Sequence, residues 1–233
     1  MPAFNEAASI AAVLDEVFAT LPGVVVLVVD DGSSDTTSLV AGGAGALVAT
    51  LPFNLGVGGA MRLGFRYAVE NGYDNVVQVD ADGQHDPASV PSLVAGLANA
   101  DIVIGARFAG EGDYAARGPR RWAMVVLAGI LGGIAHTKLT DATSGNRASG
   151  PRAVALFADH YPAEYLGDTI EALVIAARSG MVVRQLPVSM RPRAGGVPSH
   201  NPFKSAAYLG RAALALVFAL VRPRSTYRVG GAE

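Results

Sequence analysis

The chain of 233 residues has no cysteine, which excludes disulfide frameworks, zinc–thiolate sites and thiol nucleophiles together. It is also poor in charge, at 16%, with a net charge of −2, so no broad basic field points to nucleic acid. The opening MPAFNEAASI has no basic segment and no apolar core, and does not read as a secretory signal. No apolar run reaches the ~20 residues of a spanning helix. WAMVVLAGILGGIA (122–135) has 14 residues, and SAAYLGRAALALVFALV (205–221) has 17 with Arg211 inside it. Both read either as buried core helices or as helices in a membrane interface, with Arg120, Arg121, Arg222 and Arg224 toward the headgroups. A cytoplasmic protein, peripheral on the inner face of the cell membrane, fits these absences.

What remains is apolar enough for one sizeable core. In NEAASIAAVLDEVFATLPG, residues Ile10, Val13, Leu14, Val17, Phe18 and Leu21 form a face with the helical period. VVVLVVDDGSSDTT is an unbroken branched run, the habit of a strand covered on both faces. Further strands are expected at ALVATLP, NVVQVDAD and DIVIGARF, with helices between them at DTTSLVAGGAG, GVGGAMRLGFRYAVENG and PASVPSLVAGLANA. The alternation predicts an α/β fold with a doubly wound, mostly parallel sheet and helices on both faces. The second half reads as a helix over 118–136, a polar turn TKLTDATSGNR, a helix around TIEALVIAARSG, a strand in MVVRQLPVSMRPR and a terminal helix. PAFNE reads as the exit of a strand whose body is missing, since Met1 stands where its last residue should be. The first strand is therefore expected to be truncated: either the true start lies upstream of Met1 or, if this is the full chain, the sheet loses a central strand.

Ligands of such sheets sit beyond the carboxyl ends of the strands, where Asp30, Asp31, Asp80, Asp82 and Arg107 all fall. In a strand, Asp80 and Asp82 point to one side, with Gln84 just beyond. Two like charges so placed are reconciled by a hard divalent ion, Mg²⁺ or Mn²⁺; solvated turn carboxylates are the plainer alternative. Asp31 reads as a nucleobase or ribose ligand, or as the cap of the next helix. NLGVGGAMRLG lacks the third glycine of a dinucleotide fingerprint because Met61 occupies its place. Gly58 with Arg62 can still meet phosphate, or the glycines can serve helix–sheet packing. Arg107 has the fork that suits phosphate. The four histidines, His85, His136, His160 and His200, show no metal spacing; His85 and His200 read as polar site walls.

PAFNE, VVDDGSSDTT, NLGVGGAMRLGF, VVQVDADGQHDP, IGARF, DATSGNRASG and LPVSMRPRAGGVPSH, in that order, resemble glycosyltransferase family 2, the GT-A fold. Within that family the likeness is to enzymes similar to dolichol-phosphate mannose synthase and bacterial polyprenyl-phosphate glycosyltransferases. The resemblance implies that Pro2, Phe4, Glu6, Asp31, Gly58, Arg62 and Asp80 line the nucleotide sugar, and that Asp80, Asp82 and Gln84 hold the metal. It implies an acceptor side of Arg107, Arg121, Ser144, Arg147, Ser199 and His200, with Asn146 in place of an aromatic and His200 in place of a lysine. Residues 1–110 would then be the nucleotide-sugar half of one domain, 111–222 the acceptor half and 223–233 a tail. Catalysis is assigned to Asp80, Asp82 and Arg107, with Asp168 or Glu171 as base if the acceptor is a hydroxyl. The implied activity is inverting, metal-dependent transfer from a UDP- or GDP-linked sugar to a polyprenyl phosphate or a glycan. Contact with a membrane surface or a membrane-protein partner follows, nucleic acid does not, and an oligomer is left open. Two alternatives share the sheet and the carboxylates: a sugar nucleotidyltransferase, and a sugar-nucleotide-binding protein without turnover.

Overall fold

Branched apolar runs become strands and the periodic segments become helices. In the computed structural model, which describes residues 1–106, 128–163 and 168–191, the order begins β1 (Pro2–Ala3), α1 (Ile10–Thr20), β2 (Leu27–Asp30), α2 (Thr37–Gly43) and β3 (Leu47–Thr50). It continues with α3 (Val57–Glu70), β4 (Val76–Gln78), α4 (Val90–Gly96) and β5 (Ile102–Ala106). A helical stretch at 128–134, α5, precedes β6 (Arg147–Ser149), α6 (Pro151–His160), α7 (Asp168–Arg178) and β7 (Val183–Pro187). Among the described residues, no helix is long and apolar enough to cross a membrane.

The described strands form two hydrogen-bonded groups, β1-β2-β3 and β4-β6-β5-β7. The first group is parallel throughout, with Pro2 opposite Val29 and Leu27 opposite Leu47. In the second, β7 runs parallel to β5, while β6 lies antiparallel between β4 and β5. β1 has two residues and, among the described strands, pairs with β2 alone.

Three readings of the sequence change. Residues 147–149 form a strand, not the end of a polar turn. Three residues beginning with arginine carry no periodic signal, yet all three are buried between two strands. The helix α6 follows with proline in its first turn and Ala153, Val154, Leu156, Phe157 and Ala158 buried. It packs on α3, and Phe65 of α3 meets Phe157 and Tyr161 in tilted pairs while those two meet edge-on, with ring centroids 5.2–5.3 Å apart. Finally, β4 ends at Gln78, so Asp80 and Asp82 belong to the loop beyond it and the side-chain alternation of a strand does not govern them.

Among the described residues the core gathers in three clusters. The one that matters for the site joins Ala3 of β1, Ile10 and Leu14 of α1, Val28 of β2, Ala41 of α2 and Ala81 of the Asp80–Asp82 loop. Burying Ala81 there anchors that loop against the ends of β1 and β2. A buried alanine between two aspartates is what brings separate strand tips to one rim.

Candidate active site

The first tip is closed by its own backbone. Asp30 accepts from the Ser33 N–H at 2.9 Å and from the Ser38 hydroxyl. Asp31 accepts the Leu55 N–H on one oxygen at 2.7 Å and the Gly56 N–H on the other at 2.8 Å. Since Gly56 caps α3, the anion at the start of that helix is the protein's own carboxylate. Burial pushes the Asp31 carboxyl above its ordinary 3.8; the two N–H donors oppose the rise and neighbouring Asp30 adds to it.

The entry segment is stitched to this tip. Asn5 takes φ +55° and accepts the Ser34 N–H, while its own N–H donates to Ser33 Oγ. The Glu6 N–H donates to Thr37 Oγ1, and the Glu6 carboxylate accepts the Ser9 hydroxyl at 2.6 Å. Pro2 and Glu6 are half-buried, whereas Phe4 is exposed at the rim.

The second tip is more open. The Asp80 side chain is 36% exposed. Gln78 Nε2 donates to its Oδ1 at 3.1 Å, and the Asp80 N–H donates to Nδ1 of buried His85 at 3.1 Å. That bond leaves the ring proton on Nε2, which sits 3.6 Å from Asp80 Oδ2. His85 is thus more than a wall, because it holds the backbone of Asp80 and flanks its carboxylate. Asp82 is buried and accepts the Gln84 N–H at 3.0 Å. Gln84 itself is half-buried. Asp86, the third carboxylate of this run, accepts the Ala88 N–H as a helix cap and pairs with Arg191 at 3.0 Å.

The loop ahead of β6 closes over Asp80. A Cβ on Gly145 would lie 3.1 Å from Gln78 Nε2 and 3.2 Å from Asp80 Oδ2, so any side chain there presses on the carboxylate. Asp141 organises this loop by accepting the Thr143 N–H and hydroxyl. Arg147 is buried and donates to the carbonyls of Ala142, Ser144 and Thr169. It braces the loop against the start of α7. Ser144 is buried, and its hydroxyl has no hydrogen-bond partner among the described residues.

Gly58 and Arg62 turn toward α6. A Cβ on Gly58 would fall 2.1 Å from the Pro162 carbonyl oxygen, and Arg62 donates to the Asp159 carbonyl. Both are engaged in packing α3 against the chain around α6. Arg107, Arg121, Ser199 and His200 lie outside the described residues, as does the side chain of Asp168.

Among the described residues no three His, Asp or Glu side chains converge as a self-sufficient metal centre. Asp80 and Asp82 offer hard oxygen donors on one short loop. Such a partial set suits Mg²⁺ or Mn²⁺, which keep waters and substrate phosphates in their shells. The residues fit an ion shared with a diphosphate, and they do not fit a dedicated protein cage. Sequence reading missed Gln78, whose contact with Asp80 two residues on carries no signal in a strand, and it placed Gly145 only in a polar loop, since a glycine does not announce contact with a carboxylate 65 residues away.

An α/β fold with paired carboxylates beyond a strand end suits a glycosyltransferase of GT-A type. Comparison agrees: the glycosyl transferase family 2 model matches residues 1–154, and the chain belongs to that family. It is 31% identical over 202 residues to the undecaprenyl-phosphate mannosyltransferase of Micrococcus luteus, covering 83% of this chain and 82% of the relative. It is 33% identical over 122 residues to the polyprenol monophosphomannose synthase of Mycolicibacterium smegmatis, covering 46% and 43%. Among solved structures, glucosyl-3-phosphoglycerate synthase of Mycobacterium tuberculosis with Mn²⁺, UDP and phosphoglyceric acid superimposes with TM-score 0.70 at 22% identity. That match covers 95% of this chain and 77% of the other, and it speaks for the fold. The nucleotidyltransferase and the binding protein without turnover give way to a glycosyltransferase.

Proposed function

We propose that this glycosyltransferase moves a hexose from a nucleotide-diphosphate sugar to a polyprenyl phosphate, with inversion and with a divalent cation, at a membrane surface. The observation that carries the reading is the Asp80–Asp82 loop: one carboxylate reaches solvent, its neighbour is buried, and both sit at the rim where β1, β2 and β4 end. The polyprenyl phosphate is supported by the Micrococcus luteus relative, which matches over most of both chains.

Asp80 and Asp82, with Gln84, would hold the cation, whose chemistry is to neutralise charge on a departing diphosphate. The chain's own part is preorganisation. Gln78 and His85 fix Asp80, Ala81 anchors the loop, and Gly145 leaves room beside the carboxylate. An acceptor phosphate oxygen attacks the anomeric carbon opposite the leaving group. The new carbon–oxygen bond forms as the bond to the diphosphate breaks, and its electron pair leaves with the diphosphate. A phosphate acceptor is already anionic and needs no base; Arg107, Arg121 and the loop braced by Arg147 are proposed to place it. Asp168 becomes the base only for a hydroxyl acceptor.

The test supplies UDP- and GDP-linked hexoses, Mn²⁺ or Mg²⁺, and a short polyprenyl phosphate to the purified chain. The expected product is a polyprenyl-phosphate sugar of inverted anomeric configuration, lost with chelator and with Asp82→Ala. Transfer to hydroxyl acceptors alone, or retained configuration, would overturn the reading.

A further inference from the structure

The loop that carries Asp80, Asp82 and Gln84 belongs to no strand or helix, yet a distant part of the chain pins it. The segment leaving β7 crosses to its far end. Val188 opens that segment, with its N–H bonded to the Ala106 carbonyl at the end of β5, 3.2 Å away. Met190 then forms an isolated antiparallel bridge with His85, and the Arg191 N–H donates to the Gln84 carbonyl at 3.1 Å. The Arg191 guanidinium divides its two ends: Nη2 pairs with Asp86 at 3.0 Å, and Nη1 with Glu16 of α1 at 2.5 Å. We propose that Arg191 is a positioning residue for the cation loop, a clamp that ties residues 84–86 to α1 and so sets how firmly Asp80 and Asp82 receive the ion.

The inference rests on the proposed use of this loop for the cation, and three observations carry it. Hydrogen bonds run as one chain through the loop: the Asp80 N–H donates to His85 Nδ1, the Gln84 N–H to Asp82 Oδ1, and the Gln84 carbonyl accepts from Arg191. A shift of residues 84–86 is therefore passed to both carboxylates. The clamp also stands at the right place. Ala81 fixes the near end of the loop in the core, Asp86 caps the turn that begins at Pro87, and Arg191 holds the stretch between them. Finally, the two carboxylates come from different elements, and the planar guanidinium offers each its own nitrogen. A lysine is a single point charge and cannot reproduce that fork. The three side chains are between 23% and 43% exposed, so their pairing adds little to global stability. Partners that orient metal ligands from outside act instead on affinity for the ion.

The experiment compares the full chain with Arg191→Met, Arg191→Lys and Glu16→Gln. In Arg191→Met, amide exchange at Asp80 and Gln84, measured without metal, should quicken about tenfold, while Tm falls by no more than about 3 °C. Mn²⁺ binding, titrated with UDP and separately with GDP, should weaken about tenfold. Glu16→Gln alters only the α1 end of the clamp and should move both readouts the same way by a smaller factor. Added to Arg191→Met it should change nothing further, because the pair is already broken. Arg191→Lys should recover Tm and only part of the Mn²⁺ affinity. Unchanged exchange at Asp80 and Gln84 would overturn the proposal, as would faster exchange there with unchanged Mn²⁺ affinity. Exchange that rises evenly through all strands would also overturn it, since it marks an arginine that serves the fold alone. A parent chain that binds no Mn²⁺ with either nucleotide would count against the proposed activity, and the exchange result would still decide the clamp.

Discussion

Two acidic tips, Asp30-Asp31 after β2 and Asp80-Ala81-Asp82 after β4, stand at one rim and are held in opposite ways. Asp31 is buried, and both its oxygens are taken by the backbone at the entry to α3. Asp80 is over a third exposed and is held mainly through its backbone by His85 and through one oxygen by Gln78. The difference lies in what each carboxylate meets. A glycine-capped helix start delivers two N–H groups to Asp31, while Gly145 offers Asp80 only space. A strand followed by aspartates is therefore a signature of a rim, and the neighbours decide whether each acid ties the fold or faces a ligand.

The largest expected effect tests the open tip. Asp80→Asn keeps the shape and removes the charge, so kcat/KM for transfer should fall roughly 10²–10³-fold and Mn²⁺ binding in the presence of nucleoside diphosphate should weaken. Thermal unfolding should barely move, because the side chain is partly solvated. Full activity in this variant would erase the contrast between the tips.

Arg147→Met probes the brace behind the open tip. It leaves the carbonyls of Ala142, Ser144 and Thr169 without their donor, costing about 2–4 kcal/mol in urea unfolding. A loss of transfer with unchanged stability would instead place Arg147 on the acceptor.

The closed tip should answer in stability. Asp31→Asn sets an amide NH₂ against one of the two backbone donors, at a cost of about 1–3 kcal/mol. The pH dependence has a definite sign. The native Asp31 carboxyl titrates above 3.8, so from pH 3.8 upward to its raised value the folded chain binds more protons than the unfolded chain. Its contribution to stability is present below pH 3.8 and is lost as pH rises through that window. The asparagine variant should lack that part of the decline.

The strands and helices of residues 1–106 were legible because each carries its own period or unbroken apolar run, and their charged ends announced the rim. The body of the site was less so. Arg147-Ala148-Ser149 is a strand only because β4 and β5 flank it, a long-range pairing that three residues cannot advertise. The roles of Gly58 and Arg62 depend on α6, which lies about a hundred residues on. The split use of Asp31 and Asp80 rests on contacts with residues 55–56 and 145. Local pattern supplies the elements and their charged ends; non-local packing decides what each charge does.

The finest expected effect concerns the space beside Asp80. In Gly145→Ala the new methyl would start 3.2 Å from Asp80 Oδ2 and 3.1 Å from Gln78 Nε2, tighter than ordinary contact. Gln78 is buried in β4 and cannot swing aside, so the freer Asp80 carboxylate must yield by a few tenths of an ångström. Stability should change little, since neither group loses its backbone anchor. Positioning should suffer, with kcat/KM lower by about tenfold and the Mn²⁺ requirement shifted to higher concentration. Asp31 is held by the Leu55 and Gly56 N–H groups, so the thermal and pH behaviour of the closed tip should be untouched. A variant that unfolds early but transfers normally would mean that the glycine serves packing, and that the openness of Asp80 is incidental to the reaction.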